Sequence, residues 1–162
     1  MSGETVALAR IRARPGFDSQ QIAYSRAPAR LGYYVQSVWA DSPAAMLRPL
    51  VVNALEAHPG IATVVDAAAP VHSRWRVELE LLRLVHDFTG SDEGGRARIT
   101  LRSVVYDMQL QRVVTAGVLE AVEPAASANA AGGAEAANEA ADRLLERLAE
   151  QVADAFDREP ES

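Results

Sequence analysis

Residues 31–43 read LGYYVQSVWADSP, a short aromatic run that ends in a serine and a proline. Ser42, or Asp41 before it, can accept a hydrogen bond from the free amides of a first helical turn, and Pro43 suits the first helical position because no amide donor is needed there. The stretch therefore predicts a strand, a capped turn and an amphipathic helix from Pro43 to Ala57. Along that helix, apolar side chains recur three or four positions apart at Met46, Leu47, Leu50, Val51, Ala54 and Leu55.

The length and composition indicate one soluble globular domain. A single domain of 162 residues buries roughly 68–70% of its unfolded surface, and an apolar fraction of 49% with a charged fraction of 23% argues against disorder. We expect one domain over residues 5–157, with flexible termini at 1–4 and 158–162. The net charge of −6 repels phosphate backbones, and no basic run with interleaved aromatics is present, so no nucleic acid is expected as a partner.

Two residue types, lysine and cysteine, are missing from the sequence. All 16 basic residues are arginine, which could reflect selection for bidentate pairing with anions, but coding bias explains their even scatter better. The lack of cysteine excludes disulfides, thiol catalysis and thiolate metal sites. No apolar run of about 7–15 residues follows a basic start, and none of about 20 residues occurs, so taken literally the sequence predicts a soluble, untargeted chain.

Alternating apolar side chains predict a sheet on both sides of the first helix. Before the helix, Thr5–Arg14, Ile22–Arg26 and Leu31–Val38 are predicted strands. After it comes the β-branched run Ile61–Val65. A three-stranded antiparallel meander is predicted over Arg74–Val122, because two turns rich in glycine or polar residues interrupt its long alternating pattern.

The phase of the alternation changes inside the first strand of this meander. A β-bulge at Leu81-Leu82, or burial of both faces of the strand, explains the change. The apolar positions are first Trp75, Val77, Leu79 and Leu81, and then Leu82, Leu84, His86 and Phe88.

The C-terminal part of the chain predicts a second helix. Residues 124–133 are rich in alanine, serine and glycine and indicate a linker. From Ala134 to Phe156 the apolar residues recur three or four positions apart, so one stripe of the helix should pack on the sheet. That stripe consists of Ala137, Ala141, Leu144, Leu145, Leu148, Val152 and Phe156.

Side chains suited to catalysis or metal binding are few and poorly spaced. His58 ends the first helix, His72 lies in a loop and His86 lies on a strand; only the last two could meet, and two imidazoles do not complete a metal site. Ser73 stands beside His72, but no nucleophile elbow surrounds it, and sequence neighbours rarely face one another. We therefore predict no catalytic residue, no cofactor and no metal.

The aromatic run offers a candidate interaction surface, formed by Tyr33, Tyr34, Trp39 and Asp41. Large amphipathic rings are typical anchors of protein interfaces. The alternative for Trp39 is structural, in which its indole holds the first helix against the sheet. Trp75, at the start of a strand, is interpreted as a core residue.

From about Val6 to Phe156, the sequence resembles the ABC-type transport auxiliary lipoprotein family, of the paraquat-inducible protein C type. The most recognisable motif matches Trp39-Ala40-Asp41-Ser42-Pro43 followed by Met46-Leu47. Tyr24-Ser25-Arg26 stands where the family has a tyrosine-containing segment. The remaining elements follow in the family's order: the strands Val77–Phe88 and Ala97–Tyr106 and the alanine-rich C-terminal helix.

The resemblance implies a non-enzymatic periplasmic lipoprotein tethered to the outer membrane. Its implied partners are ABC transporter subunits and a mammalian-cell-entry-type substrate-binding protein, which together move lipids between the inner and outer membranes, and it leaves room for a homo-oligomer. The family's anchor is a lipidated N-terminal cysteine, which this sequence lacks together with a signal peptide. Either the chain begins after the anchor or the lipoprotein assignment does not hold here.

We predict an α+β domain in which a mixed, mainly antiparallel sheet carries the helices Pro43–Ala57 and Ala134–Phe156. The resemblance likens this fold to TolB N-terminal-like (anticodon-binding-domain-like) domains. The alternative to an auxiliary role is a small-ligand or lipid carrier with a groove between helices and sheet, for which a pocket of ~300–1,000 Å³ is typical. A hydrolase built on His72 or His86 is a third hypothesis.

Overall fold

The computed structural model describes residues 3–90 and 93–158, which form an eight-stranded sheet and two helices. The α+β class predicted from the sequence is confirmed, while the likeness to TolB N-terminal-like domains stays a prediction. The elements are β1 (Glu4–Leu8), β2 (Arg12–Ala13), β3 (Gln21–Ala27), β4 (Arg30–Val38), α1 (Pro43–Ala57), β5 (Ile61–Asp66), β6 (Trp75–Asp87), β7 (Arg96–Asp107), β8 (Arg112–Pro124) and α2 (Ala130–Phe156).

The sheet is built around β6. One edge of β6 pairs antiparallel with β7, which in turn pairs with β8. Its other edge pairs in parallel with three short strands in succession, β1 near Trp75, β2 at Glu80 and β3 near His86. The sheet continues from β1 to β5 and from β3 to β4. The chain up to Ala27 therefore lies along a strand that begins only at Trp75.

The ladders of β6, β7 and β8 form the largest part of the sheet and confirm the predicted meander. The pairing of β6 with β7 shifts between Leu81 and Arg83, which leaves Leu82 without a partner residue in the ladder. This is the bulge that the change of phase predicts. Beyond it both faces of β6 are covered, since Leu84, Val85 and His86 are all buried.

Both helices contact each other and the sheet, α1 against β5 and α2 across β6, β7 and β8. A single hydrophobic core joins Leu47, Val51 and Leu55 of α1, Leu144 and Leu148 of α2, and Trp75, Val77, Leu79 and Leu81 of β6. Successive side chains of a strand point to opposite faces. Arg76, Glu78 and Glu80 therefore lie on the other face of β6, where they are half-buried.

α1 has the predicted bounds, and Pro43 occupies its first turn as expected. The predicted side-chain cap is wrong. Ser42 makes no capping hydrogen bond through its side chain, and the Asp41 carboxylate accepts a hydrogen bond from the Ser42 amide at 2.8 Å, one residue short of the helix. The first turn is closed through the backbone alone, by the Met46 amide donating to the Ser42 carbonyl.

The predicted strand Thr5–Arg14 is wrong in one respect, because it is divided into β1 and β2. Leu8 lies opposite Val77 and Arg12 lies opposite Glu80. The chain thus advances four residues while β6 advances three, and this mismatch interrupts the parallel ladder. The residues between the two strands leave the sheet edge there.

The predicted linker over residues 124–133 is also wrong, because β8 extends to Pro124 and α2 begins at Ala130. Asn129 is the N-cap of α2, and its side-chain oxygen accepts a hydrogen bond from the Gly132 amide at 2.9 Å. Glycine is a poor helix former. Gly132 and Gly133 in the first turn therefore make the start of α2 resemble a linker.

The described residues include only part of the expected termini and of the turn between β6 and β7. Glu4 is already in β1, and α2 ends shortly before Arg158. Residues 1–2 and 159–162, and residues 91–92 of the turn, lie outside the described residues. Neither α1 nor α2, the helices of the described chain, combines the length and apolar character that a membrane crossing requires.

Candidate functional site

β4, the strand that carries the aromatic run, lies at one edge of the described sheet, where its neighbour is β3. Between Tyr33 and Val38 it advances five residues while β3 advances two, from Ala23 to Gln21, so its middle bulges outward. Three apolar side chains are exposed along it: Leu31 is 41% exposed, Val35 is 96% exposed and Val38 is 63% exposed. We call Leu31, Val35 and Val38, together with the adjoining Tyr33 and Tyr34, the β4 surface.

The two tyrosines of the β4 surface are half-buried and tie the strand to the rest of the domain. The Tyr33 hydroxyl donates a hydrogen bond to the Gly16 carbonyl at 3.0 Å. The Tyr34 hydroxyl lies 2.8 Å from Nδ1 of His86, and its ring packs against Tyr24 with 5.0 Å between centroids. The two hydroxyl contacts thus fix the middle of β4 against the rest of the domain.

His86 is the buried end of this connection, with 3% of its surface exposed. Nε2 lies 2.6 Å from the Gly94 carbonyl, which can only accept, so Nε2 carries the proton and Nδ1 accepts the Tyr34 hydroxyl proton. Burial lowers the pKa of His86 and raises the pKa of Tyr34, because it disfavours the charged form of each. His86 is therefore a neutral structural link.

Helix α2 closes over His86 through Gly133. A Cβ atom built on Gly133 would lie 2.6 Å from His86 Nδ1 and 2.9 Å from its Cγ. The imidazole also packs against Phe88, with 4.2 Å between ring centroids and 39° between ring planes, and the Arg26 guanidinium lies 4.7 Å from the centroid of the Phe88 ring. These partners of His86 were not predicted from the sequence; the paired glycines inside an alanine-rich segment were the available signal.

Trp39 lies at the junction of the sheet and α1, partly buried against the core. Its amide donates to the Gln20 carbonyl at 2.7 Å. With Met46 and Leu50 of α1 and Ala141 of α2, its indole lines a cleft of about 30 Å³, roughly the space of a single water molecule. This placement favours the structural interpretation of Trp39. Asp41, beside it, is exposed.

The histidines do not assemble into a reactive centre in the described part of the chain. His72 precedes β6 and His86 lies near its end, so roughly 35 Å of strand separates them, and the expectation that they could meet is wrong. Nδ1 of His58 accepts a hydrogen bond from the Gly60 amide at 3.0 Å. Among residues 3–90 and 93–158, no group of three or more His, Asp or Glu side chains is placed to share a metal ion.

Ser73 has a structural role as well. Its hydroxyl lies 2.7 Å from the Thr5 carbonyl and 3.0 Å from the Trp75 carbonyl. Both contacts fix the loop that leads into β6 beside β1. His72, next to it, is exposed, and no hydrogen bond between the two side chains is present in the described residues.

Solved structures of other proteins share this fold. A Xanthomonas campestris protein of the DUF330 family superposes with a TM-score of 0.85 at 24% identity, covering 96% of this chain and 87% of that one. A Chlamydia trachomatis protein gives 0.58 at 13% identity, covering 96% of each chain. PelC from Paraburkholderia phytofirmans, solved as a dodecamer, gives 0.53 at 15% identity, covering 90% and 88%. At these identities the likeness shows the fold alone.

Sequence comparison at the level of families gives a match along nearly the whole chain. None of the curated proteins matches the sequence. The model of the family described as the ABC-type transport auxiliary lipoprotein component matches residues 2–153. This confirms the resemblance based on the Trp39-Ala40-Asp41-Ser42-Pro43 motif and on the order of the elements. The chain therefore belongs to the family of ABC-type transport auxiliary lipoprotein components.

Proposed function

We propose that this chain is a non-enzymatic auxiliary subunit of an ABC-type intermembrane lipid transport system that includes a mammalian-cell-entry-type substrate-binding protein. The observation that carries the proposal is the family match over residues 2–153, since that family is one of transport components. In this proposal the domain spans residues 5–157 and acts by holding other envelope proteins in place.

The β4 surface is the proposed docking site, together with the exposed Asp41 and the half-buried Trp39, which would border it while holding α1 to the sheet. Exposed apolar side chains along a sheet edge favour contact with another protein. Val35 and Val38 expose most of their surface, and the hydrogen bonds of Tyr33 and Tyr34 hold β4 in position. A preorganised apolar edge of this kind loses little conformational entropy when a partner covers it.

The proposed location is the periplasm, with tethering to the outer membrane through a lipid anchor on the full-length protein. The lipoprotein character of the family supports an envelope location. A homo-oligomer is part of the proposal too, because PelC, which shares the fold, is a dodecamer. Light scattering on the purified chain would test assembly directly: a monomer at micromolar concentration would count against it.

A lipid carrier finds little support in the apolar space between the two helices and the sheet. The cleft beside Trp39 encloses about 30 Å³, whereas sites for small molecules typically enclose ~300–1,000 Å³. An acyl chain would have to separate α1 from α2 to enter. Native mass spectrometry that detects a stoichiometric bound lipid would reverse this preference.

Affinity purification from detergent-solubilised membranes of the native organism tests the proposed function. We expect the tagged chain to enrich an ABC transporter subunit and a mammalian-cell-entry-type protein. Recovery of cytosolic proteins alone would contradict the proposal.

A matched pair of variants tests the docking site in the same experiment. Val35→Arg places a charge at the most exposed position of the β4 surface and should abolish co-purification. Val118→Arg is the control, because Val118 is 55% exposed on β8, away from that surface. Equal recovery with the two variants would place the docking site elsewhere.

A further inference from the structure

A polar groove lies at the carboxyl ends of the parallel strands β1 and β5, beside the start of α1. It has two adjoining parts of about 750 and 510 Å³, which share Ala9, Arg10 and Arg76 as lining residues. Arg12 lines the larger part and Arg48 lines the smaller one. We call it the arginine groove, after Arg10, Arg12, Arg48 and Arg76.

Two of these arginines are held in place by partners that leave donors unused. Arg48 lies 3.3 Å from the Asp66 carboxylate and donates to the carbonyls of Leu8 and Ala9 at 3.1 and 3.0 Å. Within the described part of the chain, the Arg76 guanidinium has one ion-pair partner, Glu78 at 3.3 Å. A guanidinium has five N–H donors, so both groups keep the capacity to bind a further acceptor.

The other two arginines have no such partner. Arg10 and Arg12 are exposed, and within residues 3–90 and 93–158 neither guanidinium makes a hydrogen bond or an ion pair. Their backbone is nevertheless fixed, because Ile11 between them is buried in the core and Arg12 belongs to β2. Two unoccupied cations are thus presented from a rigid edge toward the same groove.

Arginines with a structural role in this protein are paired differently. Arg74 forms two hydrogen bonds with the fully buried Asp107, at 3.1 and 2.8 Å. Arg98 joins Asp87 and Glu120. The guanidinium groups of Arg74 and Arg98 are thus paired with carboxylates, whereas those of the arginine groove keep N–H donors free in a concave site.

We propose that the arginine groove binds a phosphate group carried by a small polar molecule. The groove is lined by four arginines and by the carboxylates of Asp18, Asp66 and Glu78. Its formal charge is therefore +1 (4 − 3), which favours binding of an anion. A phosphate offers oxygens in several directions and can accept from more than one guanidinium, whereas one bidentate arginine satisfies a carboxylate. The inference is independent of the transport role proposed above.

The dimensions of the groove indicate what the phosphate is attached to. A volume of about 750 Å³ falls within the ~300–1,000 Å³ range of small-molecule sites and exceeds the needs of a bare ion. The charged lining is unsuited to an acyl chain. The shared chemistry is therefore a phosphate ester with a polar substituent, either a soluble compound or the headgroup of a phospholipid.

Titration of the purified chain with glycerol phosphate, followed by NMR of the arginine side-chain Nε–H signals, tests the inference. We expect shifts at Arg10, Arg12 and Arg76, and an affinity at least tenfold lower in the double variant Arg10→Ala/Arg12→Ala, since a hydrogen bond to a charged group contributes about a factor of ten or more. Arg10→Gln/Arg12→Gln repeats the test with side chains closer to the native length. The control is Arg30→Ala/Arg102→Ala, which removes two exposed arginines outside the groove.

Vesicles distinguish the two sources of the phosphate. A lipid headgroup would be assigned if the chain binds vesicles of phosphatidylcholine with phosphatidylglycerol, does not bind pure phosphatidylcholine vesicles, and does not respond to glycerol phosphate. A soluble ester would be assigned if the chain responds to glycerol phosphate and binds neither kind of vesicle. No response to either probe would overturn the inference. An equal loss in the Arg30→Ala/Arg102→Ala control would also overturn it, because the attraction would then come from the overall charge.

Discussion

His86 makes the stability of the protein depend on pH. Burial keeps the pKa of His86 below its ordinary value, whereas the unfolded chain takes up the proton near pH ~6.5. The stability that neutral His86 contributes is therefore fully present above pH ~6.5 and is lost as the pH falls toward the pKa of His86 in the folded protein. We expect the free energy of unfolding, measured with urea, to decrease between about pH 7.5 and 5.5, and His86→Gln to lack most of this decrease.

The control for this prediction is His72→Gln, because His72 is exposed and the buried link stays intact. It should retain the pH dependence of the wild type.

A carboxylate with a lowered pKa cannot cause a loss of stability between about pH 7.5 and 5.5. Hydrogen bonds from Arg74 lower the pKa of Asp107, so its contribution is present above pH ~4 and is lost only below it. An unchanged slope in His86→Gln would disprove the assignment.

Gly133 is a helical glycine that should not tolerate alanine. In a helix interior, replacing glycine with alanine normally raises the free energy of unfolding by about 1 kcal/mol. Here the new Cβ would lie 2.6 Å from His86 Nδ1, so we expect Gly133→Ala to lower the free energy of unfolding by about 1–3 kcal/mol. Gly117→Ala, in strand β8, is the control for a new Cβ that meets no close neighbour, since the nearest atom there is the Gln151 amide nitrogen at 3.8 Å. A stabilised Gly133→Ala protein would rule out the close contact.

The starts of the two helices differ in how they are capped, and this difference can be measured. Asn129 accepts a hydrogen bond from the Gly132 amide, so Asn129→Ala should cost about 1 kcal/mol. Ser42 makes no such bond, and Ser42→Ala should change the free energy of unfolding by less than about 0.5 kcal/mol. Urea denaturation of both variants under the same conditions checks the contrast; a larger loss for Ser42→Ala would contradict it.

The helix boundaries show what local sequence can determine. The start of α1 was predictable because Pro43 and the apolar repeat after it act within a few residues, and the bulge in β6 was predictable because it shifts the alternation at Leu82. The start of α2 was not, because Gly133 is required by its contact with the distant His86. Local propensity then indicates a linker where tertiary packing selects a helix.

One core joins both helices to the sheet, and we expect it to unfold as a unit. Leu148 of α2 is fully buried, so Leu148→Ala should cost about 2–5 kcal/mol. Trp75 reports on α2 through its contact with Phe156, 4.9 Å between ring centroids. Tryptophan fluorescence and far-UV circular dichroism should therefore give the same transition midpoint in wild type and variant.

The control is Leu110→Ala, since Leu110 is 47% exposed in the turn after β7, and its effect should stay near 0.5 kcal/mol or less. Two separate transitions would contradict a single domain over residues 5–157.

The contacts that suggest function were the least visible in the sequence. Tyr34 and His86 lie 52 positions apart, and no local pattern links them. The arginines appeared evenly scattered, yet the topology brings Arg10, Arg12, Arg48 and Arg76 to one groove. Such convergence depends on the order of the strands. The aromatic residues Tyr33, Tyr34 and Trp39 were identifiable by type. Which of them packs against the domain and which faces solvent depends on the bulge of β4.

The parallel pairing of β1, β2 and β3 with β6 has a consequence during synthesis on the ribosome. The chain up to Ala27 emerges early, yet the strand that it must join ends only at Asp87. Until that strand leaves the exit tunnel, the nascent N-terminal segment has no edge to dock on, and its apolar side chains stay open to chaperones and proteases. Pairing over so long a stretch of chain is slow, so a pause in translation while β6 is still inside the exit tunnel should prolong this vulnerable interval, whereas a pause after β6 has emerged should not.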